Sequence, residues 1–120
     1  MSGPLDAFPP GALPLEINVQ QVKSLLEAGE DFLLLDCREQ DEFEIVRIGG
    51  ATLLPMSEIQ ARAAELEPHR QRRIVVHCHH GGRSMRVTQW LRVQGFAAVQ
   101  NMSGGIDQWA IEIDTTLPRY

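Results

Sequence analysis

The sequence predicts an α/β domain with a mostly parallel central sheet and helices on both faces, and three observations point to it. Continuous apolar runs such as Phe32-Leu33-Leu34-Leu35 and Ile74-Val75-Val76 suit strands covered on both sides. Those runs alternate with amphipathic stretches of helical period. At 120 residues, 43% hydrophobic and 22% charged, the chain has the make-up of one soluble globular domain. A chain of this size buries about two-thirds of its unfolded surface.

Taken in order, residues 1–14 carry Pro4, Pro9, Pro10 and Pro14 with Gly3 and Gly11, a composition that resists regular structure and reads as a loose arm. The folded domain is expected over 15–120. Asn18 followed by Gln21 resembles a capping box, Val19, Val22, Leu25 and Leu26 share a helical face, and Gly29 can end that helix. Residues 32–35 form a strand ending in Asp36, the polar stretch 38–45 holds a short helix, and 51–54 suit a small strand. Ser57 can cap a helix whose Ile59, Ala63 and Leu66 lie together, with Pro68 just beyond its end. The next strand is 74–77. From Ser84, the residues Val87, Trp90 and Leu91 repeat at helical spacing until Gly95. A strand over 97–100 and a short helix from Gly104-Gly105 through Trp109 complete the reading. Trp90, Trp109 and Phe96 are expected in the core.

No apolar run approaches the roughly 20 residues needed to span a bilayer, and the first residues lack the basic and apolar regions of a secretory signal. Two cysteines make no disulfide scaffold, so a reducing cytoplasm is the expected location. Net charge of −5 argues against a general nucleic-acid binder, whose affinity comes from neutralising phosphates. Arg70, Arg72 and Arg73 precede the strand that Cys78 follows. They therefore lie roughly 13 Å from Cys78, at about 3.3 Å per strand residue, and read as solvated surface.

The chemistry concentrates in residues 77–84, His-Cys-His-His-Gly-Gly-Arg-Ser, a short loop between a buried strand and a helix start. Ligands of such sheets bind beyond the carboxyl ends of the strands, where Asp36 also stands. A helix N-terminus presents orphan N–H groups and about half a positive charge, which favours thiolate over thiol and can bring a cysteine pKa to roughly 3.5–7.5. Cys78 is thus the candidate nucleophile. Gly81 and Gly82 are expected to take positive φ and turn successive amides inward, with Ser84 as N-cap and Arg83 as a fixed cation.

Three separated segments, in this order, resemble the rhodanese-like domains. They are Leu34-Leu35-Asp36-Cys37-Arg38-Glu39 with Glu42-Phe43-Glu44 and Ile48-Gly49-Gly50-Ala51; then Cys78 through Ser84; then Met102-Ser103-Gly104-Gly105-Ile106 with Trp109. The resemblance runs from about Leu15 to the C-terminus. It implies five strands and sulfur transfer through a persulfide on Cys78. It also implies that Asp36 and Arg38 form a structural link rather than a catalytic pair. One departure is Arg47 and Gly49, in a mainly structural segment where the family often has histidine and proline.

The expected chemistry is a two-step covalent cycle in which the Cys78 thiolate takes the outer sulfur of thiosulfate or a persulfide donor and passes it to a thiol, cyanide or a sulfur-carrier protein. His79, His80, Gly81, Gly82, Arg83, Ser84 and Arg86 are the expected donor-binding residues, and no metal or other cofactor is required. His77 reads as a satisfied, partly buried histidine. Cys37 reads as a small buried hydrophobe that could resolve a persulfide only if the fold brought it near Cys78. Three alternatives stand beside this one. A low-molecular-weight phosphatase or arsenate reductase also uses a His-Cys start and a loop arginine, but with five intervening residues where this chain has four, His79 to Gly82. A non-catalytic interaction module of the same fold usually lacks the cysteine. Zinc binding by residues 77–80 is disfavoured because consecutive side chains rarely point at one ion and no second ligand pair is evident.

Overall fold

A computed structural model of the protein describes residues 8, 9 and 11–120; the arm expected over 1–14 falls mainly outside these residues. Within that stretch the Leu13 and Pro14 carbonyls accept from Arg92 Nη2 at 3.0 and 3.1 Å.

Among the described residues the elements run β1 (Glu16–Ile17), α1 (Val19–Glu27), β2 (Phe32–Asp36), α2 (Gln40–Ile45), β3 (Thr52–Leu53), α3 (Ile59–Arg62), β4 (Arg73–His77), α4 (Gly82–Val93), β5 (Ala98–Met102) and α5 (Gly105–Glu112). The strands form one parallel sheet in the order β1-β5-β4-β2-β3. β1 has only two residues and no apolar run of its own, which is why periodicity did not mark it. It exists as an edge partner of β5, with Ile17 opposite Met102.

Alternation along the central strands sorts side chains into two cores. Leu35, Ile74, Val76 and Val99 meet Ile59, Leu66, Val87 and Leu91 on the side of α3 and α4, while Leu34, Val75 and Met102 meet Val19, Val22, Ile106 and Trp109 on the side of α1 and α5. Each fully buried aliphatic side chain stabilises the fold by about 1.5–3 kcal/mol. Phe96 and Trp109 are core, but Trp90 is half-buried at the edge of α4 and lines a groove.

α1 begins at the expected cap, with the Gln21 amide donating to Asn18 Oδ1 at 2.8 Å and the Asn18 amide donating to Gln21 Oε1 at 3.0 Å. The helix expected after Ser57 is broken into pieces. A 3₁₀ turn at Met56–Glu58 precedes α3, and a 3₁₀ run over Ala63–His69 contains Pro68 rather than stopping before it. Proline donates no amide and crowds the carbonyl four residues earlier, so an α-helix could not run on through Pro68. Ser57 caps nothing; its hydroxyl donates to Glu39 Oε1 at 2.7 Å.

The Arg70, Arg72 and Arg73 cluster lies at the start of β4, at the opposite end of the sheet from Cys78. It is more engaged than solvated. Arg70 pairs with Glu67 and lies over the Phe96 ring, Arg72 pairs with Asp31, and Arg73 Nε donates to Gln100 Oε1 at 2.9 Å.

Candidate active site

β2 and β4 are neighbours in register, Asp36 opposite His77, so their carboxyl ends deliver Cys37 and Cys78 to the same edge of the sheet. Cys78 is 1% exposed and sits at the floor of the loop that joins β4 to α4. The Gly81 N–H donates to its Sγ at 3.1 Å, and the Ser84 hydroxyl lies 3.3 Å from the same sulfur. Burial raises the Cys78 pKa, but hydrogen bonding from the Ser84 hydroxyl and amide and from the Gly81 and His80 amides outweighs it, leaving the thiol below its ordinary value.

α4 begins at Gly82, with Gly81 as its cap, so Ser84 lies inside the first turn and is not the N-cap. From there its hydroxyl faces inward, 2.5 Å from Asn101 Oδ1 as well as near Cys78. A hydroxyl has one proton, so Ser84 serves the sulfur or the amide oxygen at any moment. Of the two loop glycines only Gly81 has positive φ, +111°. A Cβ on Gly82 would meet nothing within 4 Å. Gly81→Ala is therefore expected to cost about 1–3 kcal/mol in backbone strain. Gly82→Ala should be neutral or stabilising by up to about 1 kcal/mol. Urea unfolding of both variants measures this, and equal losses would contradict the assignment.

The loop's carbonyls are held from the other side by α5. The Ile106 amide donates to Cys78 O at 2.9 Å and the Asp107 amide to His79 O at 3.0 Å. This close approach requires Gly105, whose φ is +61° and whose imagined Cβ would lie 2.4 Å from His79 O and 2.5 Å from Cys78 O. The sequence shows Gly104-Gly105 as a helix start, but its service to the distant loop appears only in three dimensions.

Arg83 does not stand free as a cation. Its two terminal nitrogens donate to Glu42 Oε1 and Oε2 at 2.6 and 2.8 Å, and this bidentate pair, opposed by burial and helped by the Tyr120 hydroxyl, holds Glu42 down at about 2. Arg86 is exposed and carries no hydrogen-bond or ion-pair partner among the described residues. It stands on the rim of a groove of about 300 Å³ lined also by Met56, Ile59, Val87 and Trp90. The charge of Arg83 is therefore offset by Glu42, whereas that of Arg86 stands unpaired among the described residues on the rim of this groove. Glu42, Asn101 and Tyr120 are the site neighbours that sequence reasoning did not single out. Glu42 stood within the first of the three resembling segments, and Asn101 at a strand end, as polar residues without an assigned task.

Asp36 and Arg38 are both fully buried and face each other, with Arg38 Nη2 donating to Asp36 Oδ2 at 2.7 Å and Nε to Oδ1 at 3.0 Å. Arg38 Nη2 also donates to Val46 O at 2.6 Å, tying the segment after α2 to the end of β2. Cys37 is fully buried; burial first, then the nearby charges of Cys78 and Asp36, push its thiol far above the ordinary range.

His77 differs from its expectation, being fully buried with neither ring nitrogen hydrogen-bonded; its nearest charge is Asp36 Oδ2 at 3.9 Å from Nε2. Burial, only partly offset by Asp36, holds its pKa below the ordinary value. The unfolded chain binds a proton as pH falls through about 6.5 and the folded chain does not. The stability His77 contributes is therefore present above that pH and lost below it, by up to about 1.4 kcal/mol per pH unit. Denaturant unfolding at pH 7.5 and 5.5 is expected to show this fall and to show it reduced in His77→Leu; an identical pH dependence in the variant would count against it.

His77 to His80 are all potential metal ligands by residue type. Among the described residues, His79, His80 and Asp107 bring ligand atoms within 4.8 Å of one another. The two rings, however, stack at 3.9 Å, and the Asp107 carboxylate is already taken by Arg119 at 2.8 Å. That arrangement is an aromatic and ionic cluster rather than a preformed metal centre.

Comparison with known proteins agrees with this fold. A family model described as the rhodanese-like domain matches residues 18–112. The chain is 36% identical over 95 residues to a protein named sulfurtransferase from Allochromatium vinosum, covering 79% of this chain and 87% of that one. It is 31% identical over 112 residues to the rhodanese-like/PpiC domain-containing protein 12, chloroplastic, of Arabidopsis thaliana, covering 88% of this chain but spanning only 37% of that relative. Among solved structures, a rhodanese-related protein from Thermoplasma volcanium superposes with a TM-score of 0.73 at 28% identity, covering 83% of this chain and 94% of the other.

Proposed function

This chain belongs to the rhodanese-like domain family, and we propose that it is a sulfurtransferase that carries a sulfane sulfur as a Cys78 persulfide. The observation that carries the reading is the convergence of the Gly81 N–H and the Ser84 hydroxyl on Cys78 Sγ. Those donors favour thiolate in the resting site and persulfide anion in the loaded one. Relatives named as sulfurtransferases support the reaction class.

In the first half-reaction the Cys78 thiolate attacks the outer sulfur of thiosulfate. The new S–S bond forms as the bond to the sulfonate sulfur breaks, and sulfite leaves with the electron pair. An acceptor thiolate or cyanide then attacks the outer sulfur of the persulfide, giving a new persulfide or thiocyanate and returning the Cys78 thiolate. Charge balances in each step, and no metal takes part. A nucleophile only 1% exposed favours a donor that presents its sulfur on a narrow stem. Arg86 attracts an anionic donor to the rim, His79 and His80 border its approach, and Gly81 to Ser84 hold the transferred sulfur. The acceptor is a small thiol, cyanide or a sulfur-carrier protein, and the reducing cytoplasm suits a site that must keep Cys78 unoxidised. The raised Cys37 thiol stays protonated, so it neither competes for sulfur nor resolves the persulfide.

The test is intact-protein mass spectrometry under non-reducing conditions after thiosulfate treatment. One added sulfur is expected, mapping to the Cys78 peptide and absent from Cys78→Ser. An unmodified wild type, or sulfur on Cys37 instead, would overturn the reading. Hydrolysis of an aryl phosphate that depends on Cys78 would favour the phosphatase alternative.

A further inference from the structure

The segment after α5 lies beyond the residues matched by the family, yet it returns to the active-site loop and touches its two handles, the first turn of α5 and the Glu42 that pairs with Arg83. Leu117 packs against the core cluster that contains Ile106 and Trp109. Arg119 Nε and Nη2 donate to the Asp107 carboxylate at 2.8 and 3.2 Å, in the first turn of α5. Pro118, Arg119 and Tyr120 close on His79, Ile106 and Asp107 without leaving room for a water molecule.

Tyr120 makes the decisive contacts. Its ring lies flat on His79, with centroids 3.9 Å apart and planes 7° from parallel. Its hydroxyl accepts from Arg38 Nη1 at 3.0 Å and donates to Glu42 Oε2 at 2.7 Å. The same Glu42 oxygen accepts from Arg83 Nη2 at 2.8 Å. α2, which carries Glu42, has six residues and buries none of them. Apolar packing therefore does little to fix the Glu42 carboxylate; polar partners fix it, and Tyr120 is one of them. On the other side of the loop, His79 follows the nucleophile directly, so a ring clamped on His79 restrains the peptide that leads to the converging amides. A glycine-containing loop needs such restraint, because its own backbone supplies little.

We propose that Tyr120 is a positioning residue for the sulfur-transfer loop, its ring seating His79 and its hydroxyl locking the Glu42–Arg83 pair. The role deepens the sulfurtransferase reading and rests on it for turnover, but loop geometry can be read without any sulfur transfer. The experiment uses the full chain and its Tyr120→Phe and Tyr120→Ala variants. The pH dependence of Cys78 alkylation by iodoacetamide, followed on the Cys78 peptide, is measured beside thiosulfate turnover and the thermal midpoint.

Phe keeps the ring and loses the hydroxyl, whereas Ala loses both. A loop released from its handles holds the thiolate less well, so the alkylation midpoint is expected to rise in both variants and more in Ala. A rise of about half a unit slows alkylation about threefold at a pH well below the midpoint. A wild-type alkylation profile in both variants overturns the proposal, whatever happens to melting, since mere packing of the tail moves the thermal midpoint alone. A shift in Ala but not in Phe overturns the hydroxyl's part. Failure of the wild type to turn over thiosulfate strikes the sulfurtransferase reading instead, and the alkylation profiles still decide the role of Tyr120.

Discussion

Cys78→Ser is expected to lower thiosulfate-dependent sulfur transfer by roughly 10³-fold or more while leaving the fold intact. Serine is close to cysteine in shape and keeps a polar atom for the Gly81 amide, so the loop needs little rearrangement. Its hydroxyl is not ionised by hydrogen bonds that suffice for a thiol, and it forms no persulfide. Stability should stay within about 1 kcal/mol of wild type, because no cavity and no buried unpaired charge is created. Steady-state turnover beside urea unfolding checks both halves. Retained turnover would remove Cys78 from the centre of the reaction, and gross unfolding would make its loss uninformative.

Gly105→Ala is the second large effect, and it acts from outside the loop. A methyl group at this position would need space already held by the Cys78 and His79 carbonyl oxygens, at 2.5 and 2.4 Å, and the backbone is in the left-handed region. Backbone atoms cannot turn aside as a side-chain tip can. α5 and the loop must separate, loosening the bonds from the Ile106 and Asp107 amides. The expected cost is about 2–4 kcal/mol of stability, with turnover falling by at least about tenfold as the converging amides lose their aim. A variant that melts and turns over like wild type would show that α5 does not support the loop. Gly104→Ala probes the neighbouring contact separately, since its imagined Cβ lies 2.5 Å from the Gln108 side chain rather than against the loop.

The parts of the fold legible in the sequence are those written in local pattern. The apolar runs of β2 and β4 and the capping box of Asn18 and Gln21 each carry their own signal, and the structure places them as expected. β1 carries none, because two edge residues are a strand only by virtue of β5. The run after Ser57 looked like one helix from its apolar spacing, but Pro68 and the short turns divide it. At the site, Cys78 and its glycines were legible because strand, turn and helix start follow one another along the chain. Their supports were not, because each crosses the chain: Glu42 reaches Arg83 over 41 positions, Asn101 reaches Ser84 over 17, and Tyr120 reaches Arg38 over 82. Arg83 reads as a fixed cation for the donor until its partner Glu42 is seen. His77 reads as a partly exposed strand end until β2 covers it.

Ionisation of Cys78 in the resting protein tests the account most directly. The rate of Cys78-peptide alkylation against pH, in protein never exposed to a sulfur donor, should titrate clearly below the ordinary thiol value of about 8.5. A midpoint at or above that value would mean that burial outweighs the Gly81 and Ser84 hydrogen bonds, and the loop would hold an ordinary buried thiol.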